Sequence, residues 1–374
     1  MTMPKEAENP LKPIFTAATI FVVLFLVFSY FLAMFLGPTL FFFTPNGSAV
    51  SMRFFSPLRI YLFVVIRLDV PVWLNVALFL LLMWSVYSLC LIAAYKLRIS
   101  LIETVRNSFS RPTRNLLNNC LFAIPIITST LFTTVIGIHA LEEKLGIPIG
   151  SGPLEPSSAD PLNPFKNLVS LTYSPLFEEI GFFITPIGAF LIAYLFWVGR
   201  RNISSFSLGR RLRLFFTALL YPEKAKKMVG VKTVGEFGLK GGVSRGEWVM
   251  IAFTSVAFGL THYLWGSGWE VGKITSSSVV GLALGLSYLA YGVQAPIIIH
   301  WFFDYYWYAY SLASDVYPVM FPIFRLIYTT TIMFGMLGWL TFTILGLNRV
   351  VTRTKKVTFK TTSSDSSCLG VKNG

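Results

Sequence analysis

The chain has 374 residues, of which 54% are hydrophobic and only 13% charged, with a formal net charge of +14. A soluble domain carries about 25% charged residues, so this composition excludes a soluble globular protein and predicts a chain that crosses a bilayer repeatedly. It also argues against nucleic acid as a partner. The positive charge lies in the connections and tail between apolar runs, where the positive-inside rule and anionic lipid headgroups account for it.

Apolar runs of about 20 residues are the unit of a membrane span. Eight are predicted: Ile14–Leu36, Val72–Tyr95, Leu117–Ala140, Leu168–Val198, Trp248–Trp265, Ile274–Tyr291, Ala295–Ala313 and Phe324–Leu347. The fold class is therefore an all-α polytopic membrane bundle. The first run exceeds the roughly 7–15 residues of a signal-peptide core and reads as a retained span. Arg53, Arg59 and Arg67 follow it in a connection expected outside, where Phe54–Ile66 reads as an interfacial or re-entrant segment. The fourth run is too long for one straight crossing, and Pro175 and Pro186 are expected to kink it.

Charge alternates between connections. Residues 96–116 are basic, 141–167 are acidic and proline-rich, and 199–247 are strongly basic. This alternation predicts both termini in the cytoplasm and an even number of spans. Within the basic segment, Arg211 to Phe216 reads either as a surface lying on anionic headgroups or as a solvated loop. The tail 352–374 is rich in Lys, Ser and Thr and is expected to be disordered. Cys90, Cys120 and Cys368 are too few and too scattered for a disulfide framework or a zinc pattern.

Five ionisable residues fall inside these apolar runs: Glu178, Glu179, His262, His300 and Asp304. An ionised Asp near a span centre costs roughly 2.5–3.5 kcal/mol on insertion scales, and such residues usually mark a function. His300 and Asp304 are four apart, so they share a helix face, as do Phe258 and His262. Glu178 and Glu179 point about 100° apart and cannot both aim at one reacting atom. A single intramembrane histidine is often only an interhelical hydrogen-bonding group, and His139, at a span end, reads as one. Two adjacent glutamates are harder to explain structurally. Together the types suit hydrolysis: a carboxylate base, a histidine that helps polarise water, and a second that donates to a tetrahedral oxyanion. Such a site must open to a polar cavity.

Glu178-Glu179, then Phe258-Gly259-Leu260-Thr261-His262, then His300-Trp301-Phe302-Phe303-Asp304 resemble three ordered motifs, EExxxR, FxxxH and HxxxN or HxxxD. These are the motifs of the CaaX-protease and bacteriocin-processing family, also called Abi or CPBP, which are intramembrane glutamic endopeptidases. The resemblance runs from about Leu168 to Ala313. It implies that Glu178 is the catalytic glutamate, that His262 helps it activate water, and that His300 and Asp304 serve the oxyanion. An ionised Asp accepts hydrogen bonds and donates none, so Asp304 is expected to act by orienting His300. The sequence departs from the pattern at Phe183, which stands where the motif has arginine. If that arginine pairs with the second glutamate, Glu179 here lacks that partner. The resemblance divides the chain into three N-terminal spans (1–167), a catalytic core with its basic loop (168–313, loop 199–247), a last span (314–351) and the tail.

Other chemistries fit less well. Two histidines and two carboxylates could bind zinc, but Tyr263 follows His262 and HExxH is absent. A rhomboid-like serine protease would rest on Ser267, and a presenilin-like protease needs a second intramembrane aspartate. A transporter or a non-catalytic scaffold on the same fold is the non-enzymatic reading. The resemblance implies metal-independent cleavage of a membrane protein or lipidated peptide, such as a prenylated CaaX substrate, with no cofactor and no metal.

Overall fold

The computed structural model describes residues 11–365, apart from 56–57, 63–65, 72, 98, 111–114, 152–159 and 267. The N-terminal part comprises α1 (Leu11–Phe43), α2 (Pro45–Ser51), α3 (Val76–Tyr95), α4 (Leu101–Ser110) and α5 (Cys120–Lys144). Four short strands lie between α2 and α3: β1 (Phe54–Phe55), β2 (Leu58–Leu62), β3 (Ile66–Val70) and β4 (Leu74–Asn75). β1 pairs with β4 and β2 with β3, both antiparallel, with Arg59 opposite Asp69 and Tyr61 opposite Arg67. The segment expected to lie at the interface or re-enter the membrane is thus a small β-hairpin, whose paired backbone is satisfied without a helix.

The rest is helical: α6 (Asn163–Glu179), α7 (Thr185–Val198), α8 (Arg200–Ser204), α9 (Leu208–Leu220), α10 (Pro222–Val229), α11 (Val234–Gly242), α12 (Arg245–Trp265), α13 (Gly272–Tyr291), α14 (Gln294–Trp301), α15 (Trp307–Val316) and α16 (Phe321–Asp365). Seven helices among the described residues are long and apolar enough to cross a membrane: Pro13–Phe43, Val76–Tyr95, Cys120–Lys144, Asn163–Val198, Arg245–Trp265, Gly272–Tyr291 and Pro318–Ile344. The chain is an all-α, multi-pass membrane bundle.

The eighth predicted run behaves differently. From Gln294 to Val316 it is helical throughout, with one π-helical turn at Phe302–Tyr306 joining α14 to α15. Gln294 to Phe302 are all buried. Protein rather than lipid surrounds this helix, so it carries His300, Asp304 and several tyrosines that lower its hydropathy below that of a lipid-facing span. Its hydroxyls find partners inside the bundle, as buried tyrosines must. Tyr310 Oη donates to Ser29 O at 2.9 Å and Tyr305 Oη to Ala33 O at 3.1 Å, both on α1. Tyr306 Oη shares a 2.7 Å bond with Ser29 Oγ. Tyr30 meets Phe302 and Tyr306 edge-on, at ring-centroid distances of 5.8 and 5.3 Å.

The fourth run is one helical column interrupted by a π-turn, Ile180–Ile184, between α6 and α7. The helix is not ended by its prolines: Pro175 lies within α6 and Pro186 at the start of α7. Pro186 has no N–H for the carbonyl four residues back, and the wide turn falls just before it. Thr185 Oγ1 donates to Ile180 O at 2.5 Å and closes the turn.

Residues 199–247 are not a solvated loop. They form α8 to α11 around their own apolar cluster, in which Ile203, Phe206, Leu214, Ala218, Ala225 and Val229 pack on Leu191 and Leu195 of α7. At the other end of the chain α16 continues to Asp365, into the stretch expected to be disordered from Thr352.

Candidate active site

Three elements bring the site together: the end of α6, the last turns of α12 and the buried helix α14–α15. Each carboxylate-bearing element has a π-turn where the polar residues sit. One follows Glu179 directly, and the other contains Asp304. Such turns are rare and occur often at functional sites, because the extra residue turns a side chain off the regular helix face.

His300 is the centre. Its Nδ1 lies 2.9 Å from Oε1 of Glu179, whose side chain is fully buried. Its Nε2 lies 3.7 Å from Oε2 of Glu178 and 3.6 Å from Oδ2 of Asp304. The adjacent glutamates therefore address different nitrogens of one ring, as their divergence along the helix requires. The Glu178 and Asp304 side chains are 19% and 25% exposed, against 4% for His300, so the Nε2 side is the accessible one.

One expected role changes. The sequence reading has Asp304 orient His300, but Glu179 makes the closer contact and fixes the ring from its buried side. Asp304 lies beyond hydrogen-bond distance and beside Glu178 at the open edge. A neighbour four residues away reaches the ring, but a carboxylate from another helix approaches it in line and closer.

His262 stands apart from these ion pairs. Its Nδ1 is 2.8 Å from Phe258 O, one turn back on α12. A carbonyl can only accept, so Nδ1 carries a hydrogen, and in its neutral form the ring presents Nε2 as an acceptor. The Phe258 ring lies between the two histidines, edge-on to His262 at 4.6 Å and to His300 at 5.4 Å.

Phe183, at the position of the motif arginine, is fully buried and lies 5.4 Å from the Phe258 ring. A Cβ on Gly281 of α13 would come within 3.1 Å of the Phe183 ring. Phe183 thus sits against the Phe258 ring and the α13 helix, and Glu179 takes His300 as its partner. Glu179 Oε2 remains without a hydrogen bond.

His139, read as an interhelical residue, bonds through Nε2 to Ser276 Oγ of α13 at 2.9 Å. Ser267, weighed as a nucleophile, lies outside the described residues. Sequence reasoning did not single out Lys273, in the first turn of α13, whose Nζ lies 4.0 Å from the centre of the Trp269 ring. The signal for it was present. It is a lysine at the end of a span on the side where the acidic connection 141–167 lies, against the positive-inside pattern.

Residues 211–306 match the family model Rce1-like, type II CAAX prenyl endopeptidase Rce1-like. The Rce1-like segment is about a quarter of the chain and holds two of the three motifs, with His262, His300 and Asp304. This is the family type that the motifs resemble, and it indicates a membrane protease. Glu178 and Glu179 lie before the matched residues. No curated protein and no solved structure matches the chain.

Proposed function

We propose that the chain is an intramembrane glutamic-type endopeptidase that cleaves a membrane-associated substrate, in the manner of a CaaX prenyl endopeptidase, without a metal. The observation that carries this reading is the approach of Glu178, Glu179 and Asp304, from two separate motifs, to the single imidazole of His300 within 3.7 Å.

In this reading Glu178 takes a proton from a water whose other hydrogen is accepted by His262 Nε2. The water oxygen attacks the scissile carbonyl carbon. His300, held by Glu179 through Nδ1, donates from Nε2 to the developing oxyanion. The intermediate collapses with cleavage of the C–N bond, and the proton held by Glu178 passes to the leaving amine.

The remaining parts of the proposal concern setting. Both termini face the cytoplasm. A groove of about 1020 Å³ beside α9 and α10, lined by Arg210, Arg213 and Lys224 with Phe216, Leu220 and Tyr221, faces anionic headgroups on that side.

The test is cleavage by purified protein of a prenylated CaaX peptide and of a hydrophobic peptide pool. Wild type is compared with Glu178→Gln, His262→Ala and a zinc-chelated sample. The expected result is loss in both variants, by about a hundredfold or more, with activity kept under chelation. Loss under chelation, restored by zinc, would favour the zinc reading. Full activity in Glu178→Gln would end the glutamic one.

A further inference from the structure

Glu178 and Glu179 stand on a stretch of helix that its own backbone holds weakly. Pro175, inside α6, has no N–H to give the carbonyl of Leu171 one turn back. Thr172 Oγ1 donates to Leu168 O at 2.6 Å, a back-bond of the kind that bends helices. The π-turn Ile180–Ile184 follows Glu179 directly. The two glutamates thus lie between two irregularities of one helix. The contact of Glu179 with His300 Nδ1, at 2.9 Å, leaves little play, and regular helical bonding alone does not fix it.

A brace comes from α3. Tyr87 is 1% exposed, and its Oη donates to Thr172 O at 2.6 Å. Thr172 precedes Glu179 by seven residues, so the two share a face of α6, and both are fully buried. The bond therefore grips α6 on the side that meets His300, two turns before the glutamate.

The same side chain meets α14. The Tyr87 and Trp301 ring centroids are 6.1 Å apart, with the rings tilted by 42°. Trp301 follows His300 directly and is itself held, stacked on Tyr305 at 5.2 Å and edge-on to Tyr30 at 6.4 Å. One tyrosine thus addresses the glutamate helix through its hydroxyl and the histidine helix through its ring. Tyr95, eight residues further along α3, differs: among the described residues its hydroxyl has no hydrogen-bond partner.

We infer that Tyr87 is a positioning residue that sets the separation of Glu179 and His300. Its hydroxyl pins α6 beside the weak point at Pro175, and its ring spaces α6 from the helix that carries the imidazole. The kinetic consequence rests on the protease reading, whereas the spacing does not.

The experiment therefore has two arms, on full-length protein in lipid nanodiscs. The first is nitrogen NMR with isotopically labelled histidine, which the chain's 3 histidines keep simple. His300→Gln assigns the His300 signals, and Glu179→Gln shows where Nδ1 falls without the carboxylate. Tyr87→Phe keeps the ring and removes only the hydroxyl. It should move the His300 Nδ1 signal towards its Glu179→Gln position and leave His139 and His262 in place. Tyr95→Phe should match wild type throughout. In the cleavage assay Tyr87→Phe should lose about tenfold or more in kcat with little change in KM. Added to Glu179→Gln it should cause little further loss, because the contact it positions is already gone. An unmoved His300 signal in Tyr87→Phe, or a loss in kcat that adds in full to that of Glu179→Gln, overturns the inference. The shifted signal without cleavage by wild type would remove the protease reading and leave the role of Tyr87 standing.

Discussion

His300 meets acids at both ring nitrogens, and the two sides differ in kind. On Nδ1 the contact with Glu179 is short and sealed from solvent, while on Nε2 the contacts are longer and accessible. The first suits holding a ring and the second suits chemistry. Glu179→Gln keeps the size of the side chain and removes its charge. We expect it to fold, to melt close to wild type, and to lose about ten- to a hundredfold in kcat, the range seen when an orienting partner of a functional histidine is removed. Wild-type turnover in Glu179→Gln would show that Glu179 does not hold the ring for catalysis. Phe258 contributes at the same scale. It is the spacer whose ring edge and carbonyl set both histidines, so the phenylalanine of the second motif is a placement device.

At the scale of elements, the basic segment is built rather than strung between spans. Lys226 of α10 is buried. Its Nζ lies 2.6 Å from Gly242 O and 2.9 Å from Oε2 of Glu247. That same Oε2 accepts from Ser244 N–H at 2.6 Å and forms half of the capping box that starts α12. One lysine thus ties α10 and α11 to the span that carries His262. Lys226→Met leaves Glu247 charged and unpaired in a dry site, and should cost about 3–5 kcal/mol of stability. Thermal unfolding in detergent checks this. The double variant Lys226→Met with Glu247→Leu should recover much of the loss, because two apolar side chains leave no charge without a partner. Glycine does related work between α12 and α13. A Cβ on Gly259 would strike Ser278 Oγ at 2.2 Å and Ile274 O at 2.5 Å, so only glycine lets these helices approach closely enough to set His262 beside the start of α13.

For the molecule as a whole, seven apolar helices accompany the helix Gln294–Val316, whose first turns are buried among them. Seven helices among the described residues are apolar enough to cross, and the proposed cytoplasmic position of both termini requires the helix Gln294–Val316 to cross as well. The groove on α9 and α10 should then face the same side. Tags on the two termini and a dye on Phe216→Cys should be reached by impermeant reagents from one side of sealed vesicles. The dye spectrum should shift further in vesicles containing anionic lipid than in neutral ones, and less so with Arg210→Gln and Arg213→Gln added. Termini labelled from opposite sides would contradict the topology, and an indifferent dye would contradict the headgroup contact.

The sequence by itself determined the class of the molecule and the list of polar residues, because both follow from solvent. Long apolar runs have no stable place in water, and Glu178, Glu179, His262, His300 and Asp304 stand out because charge in lipid is costly. Tertiary structure decided what no spacing rule reaches: that Glu179 rather than Asp304 makes the close contact to His300, and that Phe183 completes an apolar pocket. Each is a contact between segments far apart in the chain, set by the packing of helices. It also decided that Gln294–Val316 is buried and that residues 199–247 fold. An apolar run reads the same whether lipid or protein surrounds it, and a basic stretch reads the same whether its apolar residues meet water or one another.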